Sequence, residues 1–327
     1  MKQVLCVRFD DNPTASIELR DVERPRPAVD EVLIEMIACP INPADLLVLT
    51  GRHFYKPDLP ASVGIEGVGR VVEAGALVQQ LAAGDRVAVP FGGTWREYMA
   101  LKASDVLRVP PDIDVMQAAM MSVNPVTAAG LLEGVAAGQW IAQNAANSAV
   151  GQLVIRLAAH RGIKTVNIVR RAELVPELEA MGADVVLVGD DRLPERVSEA
   201  TGGAAVVRAF DAVAGEATGK LHRCLSDGGE LICYGLLNSD QIVLGAADVV
   251  FRNITITGYS RLRILRQMGA ERVTALVAEL SDLLRTGVLH SPIEQVYALD
   301  DVQQAVEHAH RGGRSGKVLL RVRASLD

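Results

Sequence analysis

From about Met116 onward, apolar runs alternate with segments of helical periodicity, and this alternation constrains the fold more than any other feature of the chain. Residues 140–144, 165–169, 185–188, 204–212 and 230–234 read as strands, with a further one at 254–257. Between them, residues 148–161 place Val150, Leu153, Val154, Leu157 and Ala158 on one helical face, and helices follow at 173–181 and 216–225. Strands separated by helices of this length require right-handed crossovers and hence a parallel sheet. Their continuous apolar character is that of strands covered on both faces.

The flanking regions differ. Residues 1 to about 115 are mostly β, with Val- and Ile-rich runs at 32–37, 67–72 and 86–89 punctuated by Gly and Pro. One helix is predicted from Pro43, because Asn42-Pro43 supplies an N-cap followed by proline at the first helical position. The tail predicts a long helix at 271–285, a strand at 293–299, a helix at 301–310 and a last strand at 316–322. The expected organisation is a β domain (1–117), a doubly wound parallel α/β domain (118–257) and a return of 258–327 to the first domain.

A chain of 327 residues fits this two-domain division. The net charge of −7 disfavours non-specific nucleic-acid binding, which wants a basic face. No apolar stretch approaches the ~20 residues of a membrane span, and the amino-terminal run MKQVLCVRFDD lacks a signal-peptide core, so no membrane partner is expected. Cys6, Cys39, Cys224 and Cys233 are dispersed, which predicts neither a disulfide framework nor a cysteine zinc lobe, but reduced thiols in the cytoplasm.

The segment Gln143-Asn144-Ala145-Ala146-Asn147-Ser148-Ala149-Val150-Gly151 joins the first middle-region strand to its helix. This is where a dinucleotide pyrophosphate meets a helix N-terminus in a doubly wound domain. Small side chains let backbone amides approach the anion; Asn147, Ser148, Ala149 and Val150 are the expected contacts, although only one glycine remains of the usual three. The alternative is an ordinary strand–helix turn capped by Ser148. An acidic ribose ligand is expected about 20 residues further on. That place carries Arg170 and Arg171 and no carboxylate, which selects NADPH through a 2′-phosphate unless the two arginines only edge a solvated helix. Tyr234-Gly235 ends a later strand at the sheet edge where cofactor contacts are common.

Four segments, INPADLLVLTG (41–51), FGGTWREY (91–98), SVNPVTA (122–128) and QNAANSAVGQ (143–152), resemble the medium-chain dehydrogenase/reductase superfamily, and within it the zinc-free enoyl-thioester reductases of the mitochondrial type. The NPxD element is shared with related quinone oxidoreductases. The resemblance implies a GroES-like β-barrel catalytic domain, a Rossmann domain, a cleft between them and a homodimer. It puts nicotinamide-side contacts at Asn124 and Thr127, and an aromatic wall of the acyl pocket at Tyr259. Trp95 is read either as packing or as a substrate wall. Zinc-dependent relatives place a His in a Gly-His-Glu element; here it is Gly64-Ile65-Glu66. Cys39 and Glu66 offer two donors and no third, so no metal is expected.

Without a Lewis acid, a conjugated C=C is an easier hydride acceptor than a carbonyl. The chemistry implied is hydride transfer to the β carbon of a trans-2-enoyl thioester on CoA or acyl-carrier protein, then protonation at the α carbon. Relatives carry the acid, a Tyr, two residues after the glycine that corresponds to Gly51. Here that position is His53, and Tyr55 follows. A phenol holds its proton at pH 7, which favours Tyr55; a neutral imidazole can also donate, so His53 stays open. Asn42 either orients the acid or cofactor, or caps its helix. The competing functions are reduction of quinones or α,β-unsaturated ketones, and non-catalytic NADPH binding.

Overall fold

A computed structural model describes residues 1–90 and 92–323. Phe91 of the FGGTWREY segment lies outside the described residues. The chain divides into two compact units. The first comprises Met1–Val123, Ser281–Arg285 and the chain from His290 onward; the second comprises Asn124–Leu280 and Thr286–Leu289.

In the first unit, one sheet runs in the spatial order Ile293–Ala298, Lys317–Arg321, Glu31–Pro40, Gly67–Ala74, Arg86–Val89, Leu107–Arg108. Tyr98–Lys102 also pairs with Glu31–Pro40. Only the first pair is parallel. A smaller antiparallel sheet joins Ile17–Asp21, Lys2–Cys6 and Ala61–Ser62. The helix Val302–His310 buries Val302, Ala305, Val306 and Ala309, a stripe at helical spacing, against a core that includes Ile34, Met36, Val87 and Leu320. Register matters for the site. Leu319 lies opposite Pro40 and Leu320 opposite Cys39. Two residues further on, the same register puts Lys317 opposite Asn42.

The second unit holds six parallel strands in the order Val185–Val188, Lys164–Val169, Trp140–Gln143, Val206–Asp211, Glu230–Cys233, Thr255–Gly258. In chain order this is third, second, first, fourth, fifth, sixth, the doubly wound Rossmann arrangement. The order reverses between Trp140–Gln143 and Val206–Asp211, and ligands bind such sheets outside the carboxyl ends of the strands at that reversal.

Two expectations about the tail shift. The helix begins at Arg261, ten residues earlier than the apolar periodicity indicates, and is broken at Gly269 (φ 76°, ψ 163°). Residues 261–280 count with the second unit, so the return to the first unit begins near Ser281 and not at 258. The first segment of the first unit extends to Val123, past the expected 117.

Candidate active site

The turn after Trp140–Gln143 is held by polar side chains buried beneath it. Asn144 Nδ2 donates to Asp211 Oδ1 at 2.5 Å, while its Oδ1 accepts the Ala212 amide at 2.8 Å. Asp211 also accepts from the Val213 and Ala214 amides and from Thr218 Oγ1. These bonds tie together the ends of the first and fourth strands at the reversal point. Gln143 Nε2 donates to Asn167 Oδ1 at 2.7 Å and to the Gly151 carbonyl at 2.9 Å, linking turn, second strand and helix.

The helix Ala149–His160 starts at Ser148, whose hydroxyl accepts the Gly151 amide at 3.1 Å. A Cβ on Gly151 would stand 2.6 Å from the Ala146 carbonyl oxygen and 2.7 Å from that of Ala145, so this glycine is dictated by backbone approach. Ala145 itself has φ +46°. The turn therefore presses close to the helix with only small side chains over its N-terminus. Asn147, Ser148, Ala149 and Val150 are all partly exposed there. First-turn amides and the helix dipole suit an anion at this place, so these residues fit the pyrophosphate of a dinucleotide.

Tyr234 and Gly235 follow the strand Glu230–Cys233, and the Tyr234 amide bonds the Asp211 carbonyl at 2.9 Å. The Tyr234 hydroxyl, beside Ser148, is buried and meets no partner of normal geometry among the described residues; burial pushes this phenol up. Arg170 and Arg171 immediately follow the second strand and are exposed. Arg171 lies 3.6 Å from Glu173, an exposed pair of little energetic weight. Asn124 and Thr127 are buried in the helix Asn124–Leu131. Tyr259 packs on that helix: its hydroxyl is 3.4 Å from the Val126 carbonyl, and a Cβ on Gly130 would strike it at 2.4 Å. Burial raises Tyr259 to about 12.

In the first unit, Asn42 caps the helix Pro43–Leu49, and its amide donates to Asp45 Oδ2 at 2.7 Å. Its side chain is committed elsewhere. Asn42 Nδ2 donates to Glu66 Oε1 at 3.0 Å, and Lys317 Nζ donates to Asn42 Oδ1 at 2.5 Å. Glu66 Oε2 accepts from Ser122 Oγ at 2.9 Å and from the amides of Ser122 and Val123 at 3.2 and 3.0 Å. All four side chains, Asn42, Asp45, Glu66 and Lys317, are at most 5% exposed. Burial raises Asp45 to about 7, opposed by the Asn42 amide and Lys317. Burial lowers Lys317 to about 8, opposed by Glu66 and Asp45. Removing one member of such a buried charge cluster typically costs about 3 to 5 kcal/mol, because its partners are left unpaired.

This corrects the reading of Asn42 as a group reaching acid or cofactor: both polar ends of its side chain are occupied inside the unit. Of the two readings of Trp95, packing agrees with the structure and the substrate wall does not. Trp95 is 0% exposed in the core, so it packs and cannot wall a substrate pocket. Tyr55 and His53 share the exposed loop after Gly51; Tyr55 is 62% exposed, and its amide donates to His53 Nδ1 at 3.0 Å. In a neutral His53 that bond leaves the proton on Nε2. Sequence reasoning missed Lys317 as a site residue. The available signal was a lysine directly preceding the apolar run Val318-Leu319-Leu320.

The same cluster does not fit a zinc ion. A site of that kind needs three donors free to bind a cation, whereas here an ammonium group already enters the cluster and both Glu66 oxygens carry hydrogen bonds. The Cys39 thiol donates to the Thr94 carbonyl, and burial pushes it up.

Residues 28–111 match the alcohol dehydrogenase GroES-like domain, and residues 149–279 match the zinc-binding dehydrogenase domain. The chain is 35% identical over 321 residues to the mitochondrial enoyl-[acyl-carrier-protein] reductase of Xenopus tropicalis, covering 94% of this chain and 92% of that protein. A Bacillus thuringiensis structure described as an NADPH:quinone reductase superposes with a TM-score of 0.90 at 28% identity, over 98% of this chain and 99% of that one. A complex of Etr1p with NADP and crotonyl-CoA has the same fold (TM-score 0.86, 22% identity, 98% and 99% of the two chains). The chain belongs to the medium-chain dehydrogenase/reductase superfamily, built from a GroES-like domain and a Rossmann domain. The expected cytoplasmic location is overturned by the relatives: those from frog, human, nematode and plant are named as mitochondrial enzymes. Unpaired cysteines do not distinguish one reducing compartment from another.

Proposed function

We propose that the protein reduces the C=C bond of a trans-2-enoyl thioester, carried on coenzyme A or acyl-carrier protein, at the expense of NADPH. The observation that carries this reading is the pairing of a small-residue turn over a twelve-residue helix with two arginines, and no carboxylate, at the end of the adjacent strand. The 35% identity to an enoyl-[acyl-carrier-protein] reductase supports the substrate class.

NADPH supplies the hydride when bound. The first-turn amides at Ala149 and Val150 hold its pyrophosphate, with Asn147 and Ser148 beside them. Arg170 and Arg171 grip the 2′-phosphate. Asn124, Thr127, Tyr234 and Gly235 position the nicotinamide half, and Tyr259 lines the acyl pocket. The developing enolate needs a proton at the α carbon, and the loop after Gly51 provides it, from the Tyr55 hydroxyl in preference to His53. The second reading, quinone or enone reduction, is favoured by the Bacillus thuringiensis structure and by His53 at the position where relatives carry the acid. NADPH oxidation measured with crotonyl-CoA, a hexenoyl thioester, a naphthoquinone and an enone separates these readings. Thioester turnover supports the first, turnover of quinones alone replaces it with the second, and NADPH binding without turnover indicates a binding protein.

The protein acts as a homodimer in this proposal. Thr255–Gly258 is an edge strand of the six-stranded sheet. Close to it in the chain, Ile242, Val243, Val250, Phe251 and Ile256 are exposed, Phe251 by 85%. An edge strand with one side open, flanked by apolar side chains, is a template for a second copy. Light scattering is expected to give a dimer mass for the native chain and a monomer mass for Phe251→Glu combined with Ile256→Lys. A native monomer contradicts the assignment.

A further inference from the structure

The chain passes from the first unit to the second at Val123–Asn124. The last two residues before that crossing are held by Glu66, which takes the Ser122 hydroxyl and both the Ser122 and Val123 amides on one carboxylate oxygen. The other Glu66 oxygen is engaged by Asn42 Nδ2, and the Asn42 carbonyl oxygen by the Lys317 ammonium. The series runs Lys317, Asn42, Glu66, Ser122–Val123, and is buried as far as Ser122. It then continues through one peptide bond into Asn124 and, one helical turn on, Thr127.

We propose that Lys317 is a positioning residue for the reductase: by fixing Asn42 and thereby Glu66, it sets the backbone from which the nicotinamide-side residues Asn124 and Thr127 depart. This rests on the cofactor assignment made above. The Glu66 carboxylate only accepts, so it takes the N–H end of the Asn42 amide. The ammonium group has donors only, so it selects the carbonyl end. The two demands agree: Lys317 locks the Asn42 N–H groups toward Glu66 Oε1, and Oε2 takes the crossing segment. A cation placed among Asp45 and Glu66 also offsets the cost of burying two carboxylates together. The cation is supplied by a side chain of the last strand, 275 residues from its acceptor.

The role differs from general stabilisation in what it disturbs. Lys317→Met is expected to lower kcat with crotonyl-CoA at least tenfold and to reduce the nicotinamide fluorescence enhancement of bound NADPH, while the affinity for 2′,5′-ADP changes less than twofold. That probe carries the adenylate half and the 2′-phosphate but no nicotinamide. Glu66→Gln, a near-isosteric change that cannot accept the same set of donors, is expected to give the same pattern, and serves if Lys317→Met does not fold. Unchanged kcat and unchanged NADPH fluorescence in a folded variant overturn the proposal. Loss of 2′,5′-ADP binding in parallel with kcat also overturns it, because the effect is then a general one. The fluorescence comparison decides the matter even if the wild-type protein reduces some acceptor other than a thioester.

Discussion

Replacing Arg170 and Arg171 together by alanine is expected to weaken NADPH binding about 100-fold while NADH binding changes less than threefold. Charge-assisted hydrogen bonds contribute about 1.5 kcal/mol each at the lower end, so losing two costs about 3 kcal/mol, or about two decades in affinity. NADH lacks the 2′-phosphate and makes no use of them. The two residues after Val169 are Arg170 and Arg171, with no carboxylate to hold a ribose diol, and Glu173, the next carboxylate in sequence, lies 3.6 Å from Arg171. Fluorescence titration with each cofactor reads the difference. Equal losses for NADPH and NADH refute the 2′-phosphate assignment and return the two arginines to the solvated edge of a helix.

Tyr55→Phe is expected to lower kcat/KM about 100-fold, in keeping with the 10²- to 10⁴-fold that a positioned acid contributes, and His53→Ala to lower it by less than tenfold. The two side chains are coupled through the Tyr55 amide and His53 Nδ1. His53 thus orders the loop backbone even if it transfers no proton, which accounts for a modest effect on its removal. The opposite ranking, a large loss for His53→Ala with Tyr55→Phe near wild type, assigns the proton to His53 Nε2–H. Wild-type rates in both variants remove the acid from this loop altogether.

Most of the second unit was legible because its determinants are local. Apolar runs separated by helical stripes fix parallel strands, and Ser148 and Gly151 mark a cap and a close approach within one turn of each other. The Asn42-Pro43 helix start was legible for the same reason. What periodicity does not carry is partnership across the chain. Nothing near Asn42 announces that its side chain is saturated by Glu66 and Lys317, and so it read as a candidate contact. Trp95 read ambiguously because a large aromatic next to glycines suits a pocket wall as well as a core; only its packing over Gly64, where a Cβ would meet Trp95 at 2.3 Å, decides between them. The start of the helix at Arg261 is hidden from periodicity because Gly269 interrupts the pattern and its first half carries exposed arginines.

Lys317 is the internal cation of a buried cluster unsuited to zinc, and in the proposed reaction NADPH supplies the hydride. That reaction is tested most directly by incubating the protein with crotonyl-CoA and NADPH deuterated at the transferable C4 position, and analysing the product by mass spectrometry and NMR. The expected result is butyryl-CoA bearing one deuterium at the β carbon and a solvent-derived hydrogen at the α carbon. Recovery of unreduced crotonyl-CoA under conditions where the same protein oxidises NADPH with a quinone would contradict it.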